Sequence, residues 1–83
     1  MLSETFPKAY YVEWIDSAGQ DEGWSNRIAV ESWSPCKIAT VGFLISESDD
    51  SITLAGSISD NEKLDGVLVI PKCSIKKKKR VRV

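Results

Sequence analysis

Six cations fall within seven residues: Lys76, Lys77, Lys78, Lys79, Arg80 and Arg82. Such a cluster can bind phosphate groups on a nucleic acid or a nucleotide, or an anionic protein surface. Two plainer roles compete. Lysines on an edge strand discourage aggregation, and the cluster can pair internally with acids elsewhere in the chain. The charge distribution sharpens the choice. Residues 1–71 hold twelve acids and four bases, a net −8, whereas residues 72–83 hold seven bases and no acid, a net +7. An acidic body repels phosphates, and one short basic strand touches few of them. Duplex binding would therefore be weak and steeply salt-dependent unless several copies aligned their strands.

Two further groups of residues carry chemical potential. Asp16 and Ser17, with Gly23 and Trp24, form a loop composition that suits a small ligand, the indole stacking on a base. The plainer expectation is that Asp16 and Ser17 cap turns while Trp24 seals the core beneath a helix. Ser57, Ser59, Asp60 and Asn61 could line a polar pocket or a subunit interface. Equally, they are solvent-facing residues leading into a turn.

Catalysis finds little support. The chain has no histidine, so a Cys–His pair and His-based proton transfer are excluded. Asp49 and Asp50 are adjacent in a turn rather than paired across a cleft, and neither a phosphate-binding P-loop nor a GxGxxG motif is present. No enzymatic activity, cofactor or metal is expected. Cys36 and Cys73 belong to no CxxC motif and are expected to be free, mostly buried thiols in a reducing cytoplasm. Met1 to Lys8 lacks the pattern of a signal peptide, and no apolar run approaches the ~20 residues of a membrane span.

The elements that must position these residues follow from periodicity. Tyr10 to Asp16 reads as a strand with Tyr10, Val12 and Trp14 on one face. Ser17 to Gly23 is a loop. Trp24 to Trp33 is expected to be a short helix capped by Ser25 and ended before Pro35, burying Ile28, Ala29 and Trp33. Lys37 to Ser46 reads as a central strand buried on both faces, bent at Gly42. It forms a hairpin with Ser51 to Ser59, where Ile52, Leu54 and Ile58 face in, Thr53, Ala55, Ser57 and Ser59 face out, and Gly56 bends the strand. Gly66 to Ile70 is a further strand. Pro71 to Ser74 makes one tight turn, and Ile75 to Val83 is the basic last strand.

With 83 residues there is room for one domain, preceded by an extended lead-in over residues 1–9. Composition is that of an ordinary globular chain, at 42% hydrophobic and 28% charged residues, which excludes a disordered tail. Five short strands, two bending glycines and a tight turn before the last strand predict a mainly β fold. The expected form is a small five-stranded barrel, SH3-like or Sm-like, with one short helix between its first two strands. The alternative is an open antiparallel sheet with that helix across one face.

The segments VEWIDS (12–17), Gly23-Trp24, TVGFLISE (40–47), SISDN (57–61) and GVLVIPKCSIK (66–76) follow one another in that order. Together they resemble a family of small bacteriophage and prophage proteins of unknown function. The basic end is heavier here than the family pattern. The resemblance implies a phage origin, action inside a bacterial cell and a small β-rich domain. The expected function is that of a non-enzymatic accessory protein binding a host or phage partner in the host cytoplasm, with a homo-oligomer among its expected forms. The alternatives are nucleic-acid binding by the basic strand, and an oligomeric sponge that sequesters a nucleotide signal in counter-defence.

Overall fold

A computed structural model describes residues 7–19 and 23–82. Residues 1–6 of the expected lead-in over 1–9, part of the first loop and Val83 lie outside the described residues. Among those described, the chain forms β1 (Ala9–Asp16), the single-turn helix α1 (Arg27–Val30), β2 (Cys36–Glu47) and β3 (Ser51–Ala55). There follow β4 (Ser57–Ile58), β5 (Leu64–Asp65), β6 (Leu68–Pro71), a 3₁₀ turn (Lys72–Ser74) and β7 (Ile75–Val81). The fold is mainly β. Its body is one antiparallel five-stranded sheet in the order β6-β3-β2-β1-β7. The sheet is not closed, because β6 and β7 are its two edges. A small hairpin of β4 and β5 completes the strands.

The register explains the core. Val12 lies opposite Thr40, Trp14 opposite Ile38, Leu44 opposite Leu54, and Ile52 opposite Ile70. Cross-strand partners share a face, so these residues line one side of the curled sheet. Val12, Trp14, Ile52, Leu54 and Ile70 are buried there, with Tyr10, Ile38, Leu44, Leu68 and Ile75 packed around them. The Trp14 indole Nε1 donates to Thr40 Oγ1 at 3.0 Å, satisfying the ring's polar group inside the core.

Two bulges bend the sheet around this core. On β2, Leu44 pairs with Leu54 and Ser46 with Thr53, so Ile45 is the extra residue. On β7, Ile75 pairs with Trp14 and Lys77 with Glu13, so Lys76 is the extra residue. The second bulge lets Ile75 face the core alongside Lys78. Strict alternation places them on opposite faces.

Gly42 marks a close approach of β2 to β3. A Cβ built there would lie 3.0 Å from the Ala55 carbonyl oxygen and 3.2 Å from Leu54 Cβ. Gly42→Ala is expected to lower stability by about 1–3 kcal/mol through overpacking against backbone. Gly19→Ala, whose Cβ meets nothing within 4 Å, serves as the neutral comparison in the same urea titration.

Several sequence expectations need correction. The helix expected over Trp24–Trp33 is one turn long. It is capped by Asn26 rather than Ser25, the Asn26 Oδ1 accepting from the Ile28 N–H at 2.9 Å. None of its four residues is buried. The expected apolar stripe is open: Ile28 is 79% exposed and Trp33 45% exposed. Trp24 is fully exposed and seals nothing. A helix this short needs a packing surface to grow, and the buried core gives it none. β2 is buried on one face rather than two, leaving Ala39 and Val41 exposed on the outer face of a single-layer sheet. Ala55 is buried, not outward, since the chain returns through Asp65 and Gly66, whose carbonyls accept from the Gly56 N–H. Cys36 and Cys73 are free, as expected, but exposed. Cys36 opens β2 at the end of the sheet, opposite Asp16, and Cys73 sits in the 3₁₀ turn.

Candidate functional site

The basic end is a docked strand. Its inner edge pairs with β1 from Ala9–Val81 to Trp14–Ile75. Lys78 and Arg80 lie opposite Val12 and Tyr10, on the core side, while Lys77 and Lys79 lie opposite Glu13 and Tyr11, on the outer side. Arg82 follows the strand and is exposed.

One of these cations is tied down. The Lys78 Nζ stands 5.4 Å from the centre of the Tyr10 ring and 3.8 Å from Glu47 Oε2. The same carboxylate oxygen takes Lys72 Nζ at 2.7 Å. Glu47 therefore joins the end of β2 to the 3₁₀ turn and to β7. The Lys72 N–H also donates to the Asp50 carbonyl at 2.7 Å, pinning that turn to the β2–β3 connection. The remaining five cations, Lys76, Lys77, Lys79, Arg80 and Arg82, have no ion-pair partner among the described residues.

The Lys72 hydrogen bond, then the charges of Lys78 and Lys72, hold the Glu47 carboxyl below its ordinary pKa. A carboxylate depressed in the folded state contributes stability above its unfolded pKa and loses it as pH falls through the folded value. Glu47→Gln is expected to melt below the wild type at neutral pH. The gap should shrink as the solution is acidified below the ordinary carboxylate range, and as salt is added. Thermal melts of both proteins across that range check this; a gap unchanged by acid would mean the carboxylate is not the source. On the outer face the Tyr11 hydroxyl donates to Glu13 Oε2 at 2.6 Å, which raises the phenol pKa and keeps it a donor.

The loop candidates are scattered. Asp16 ends β1 and its Oδ1 accepts from the Ser17 N–H at 2.8 Å, a local turn. No hydrogen bond or ring contact among the described residues joins either of them to Trp24. Ser57 pairs with Asp65 in the small hairpin. Ser59 closes that hairpin: its N–H donates to the Lys63 carbonyl at 2.9 Å, and its hydroxyl accepts from the Lys63 N–H at 3.0 Å and bonds Asn61. Asp60 sits exposed in the same turn.

What sequence reasoning missed is a second surface. The connection between β1 and β2 carries Trp24, Ile28, Val30 and Trp33 exposed together along ten residues of chain. The apolar spacing was visible in the sequence. No signal there told that nothing would cover it.

Two shallow clefts accompany these surfaces. One of about 370 Å³ is lined by Glu13, Trp14, Ile15, Lys37, Ile38 and the bulged Lys76. The other, about 330 Å³, lies around Glu47, Lys72 and Lys78, over Ile52 and Ile75. Among the described residues no cluster of acids and cysteines could hold a metal ion, and no helix is long and apolar enough to cross a membrane. No family model, curated protein or solved structure matches the chain.

Proposed function

We propose that the chain is a non-enzymatic accessory protein of phage origin that binds a protein partner in the bacterial cytoplasm. The observation that carries this reading is the exposed arm between β1 and β2. Trp24, Ile28, Val30 and Trp33 leave a large apolar surface uncovered. Exposed aromatic and aliphatic groups in one segment mark interaction sites, and tryptophan is prominent among the residues that dominate binding energy. The resemblance of VEWIDS, TVGFLISE and GVLVIPKCSIK to segments of small phage proteins is what suggests the origin. A sheet ordered β6-β3-β2-β1-β7, with a 3₁₀ turn joining its two edge strands, supports an SH3-like or Sm-like scaffold.

The test compares the wild type with a Trp24→Ser, Ile28→Ser, Trp33→Ser variant, both immobilised and exposed to bacterial lysate. These side chains lie outside the core, so circular dichroism should be unchanged. The expected result is a stoichiometric partner retained by the wild type and lost by the variant. A partner retained equally by both, or by neither, overturns the reading.

A second reading, nucleic-acid binding by β7, draws on the five cations without ion-pair partners. The −8 carried by residues 1–71 counts against it.

A further inference from the structure

β7 has a bare outer edge. It is the last strand of the sheet on its side, and β1 occupies only its inner edge. No other backbone hydrogen bond reaches residues 76–82 among the described residues. A free strand edge is a row of N–H and C=O groups spaced to pair with another extended backbone. Here that row is flanked by positive charge on both faces, Lys77 and Lys79 on the outer side and Arg80 on the core side, none of them in an ion pair among the described residues.

These two features set two separate demands on an occupant. The backbone demand is met by any extended peptide. The charge demand is met by any polyanion. A second copy of β7 meets only the first, since like charges would face each other across the new pair. The opposite edge, β6 (Leu68–Pro71), meets the first only in part, as Pro71 has no N–H, and fails the second, as it carries no acid. A nucleic acid meets only the second. An acidic peptide strand meets both. Lysines on an edge usually prevent strand addition; the charge on this edge would favour acidic strands over neutral ones and disfavour basic ones.

We propose that the outer edge of β7 binds an extended acidic peptide segment of a partner by strand addition, its carboxylates meeting Lys77, Lys79 and Arg80. This site is separate from the arm between β1 and β2 and stands or falls independently of it.

Three fluorescent probes test it by anisotropy at low salt. The first is a peptide of alternating Glu and Val. The second is the same peptide N-methylated on every central residue, which keeps the charge and removes the backbone donors. The third is an oligothymidylate of equal charge. The first is expected to bind and to weaken as salt rises. The second and third are expected to bind roughly tenfold more weakly or less, a loss of about 1.4 kcal/mol. Alternate amides within residues 76–82 should gain hydrogen-exchange protection when the first probe binds. A Lys77→Gln, Lys79→Gln, Arg80→Gln variant should lose the first probe by a similar factor, whereas Lys63→Gln should not. Equal binding of the first two probes would mean that charge alone acts, and tighter binding of the oligonucleotide would make this a nucleic-acid site. Either result overturns the proposal, as does failure of the acidic peptide to bind at all.

Discussion

Trp14→Ala is expected to remove a large share of the folding stability. Trp14 is 8% exposed and belongs to the buried cluster with Val12, Ile52, Leu54 and Ile70. Removing a buried tryptophan costs about 3–5 kcal/mol in lost transfer energy and residual cavity. A chain of this length has a total stability of roughly 4–12 kcal/mol, so the loss is a large fraction of the whole. The substitution also strips Thr40 Oγ1 of its indole donor, 3.0 Å away. Trp14→Phe separates the two effects: it keeps most of the apolar volume and loses the hydrogen bond, for about 0.5–1.5 kcal/mol from that bond. Urea titration followed by far-ultraviolet circular dichroism is the suitable readout, since the exposed Trp24 and Trp33 also contribute fluorescence. An Ala variant within 1 kcal/mol of the wild type would show that Trp14 does not anchor the core.

Ile52→Ala should follow at about 2–5 kcal/mol. Ile52 is 1% exposed and lies directly opposite Ile70 on β6, so both strands lose packing at once. Ile52→Val, which removes a single methyl group, should cost about 0.5–1.5 kcal/mol. The control lies one residue away on the same strand pair. Val69 faces the other side of the sheet, opposite Thr53, and is 58% exposed. Val69→Ala should stay within about 0.5 kcal/mol of the wild type. If Ile52→Ala and Val69→Ala proved equal, the assignment of the two faces would be wrong.

The same contrast explains what could be read from the sequence. Alternation along Tyr10–Trp14 and Ile52–Leu54 identified the buried face, because a strand's period of two leaves no choice once one face is apolar. The hairpin between β2 and β3 and the turn before β7 were legible for a similar reason, since glycine, proline and acidic runs break strands locally. Burial itself was not legible. Periodicity says that Ile28, Ala29 and Trp33 share a stripe; it does not say that anything will lie against it. The run from Lys37 to Ser46 reads as doubly buried, but among the described residues no second layer covers its outer face.

The candidate site was half visible. The charge of residues 76–82 is written in composition, and the structure adds that this segment is docked on one side and bare on the other. Two features had no signature in the sequence. One is the bulge at Lys76, which alternation cannot anticipate because it breaks alternation. The other is the convergence of Lys72 and Lys78 on Glu47, which joins residues distant in sequence through the path of the 3₁₀ turn.

The position of β1 between β2 and β7 has a consequence for how the protein is made. β1 precedes every other strand, yet one of its two flanks is filled only by the seventh. A chain synthesised as far as β6 can already assemble the ladder β6-β3-β2-β1, but with the far side of β1 still bare. Contacts so distant along the chain form slowly, since a long loop must close before they add any stability. During that interval Tyr10 to Trp14 present an aromatic-rich, sticky flank to other nascent chains. The arrival of β7 replaces that flank with a lysine-rich border, so the step that completes the sheet also ends its most aggregation-prone stage.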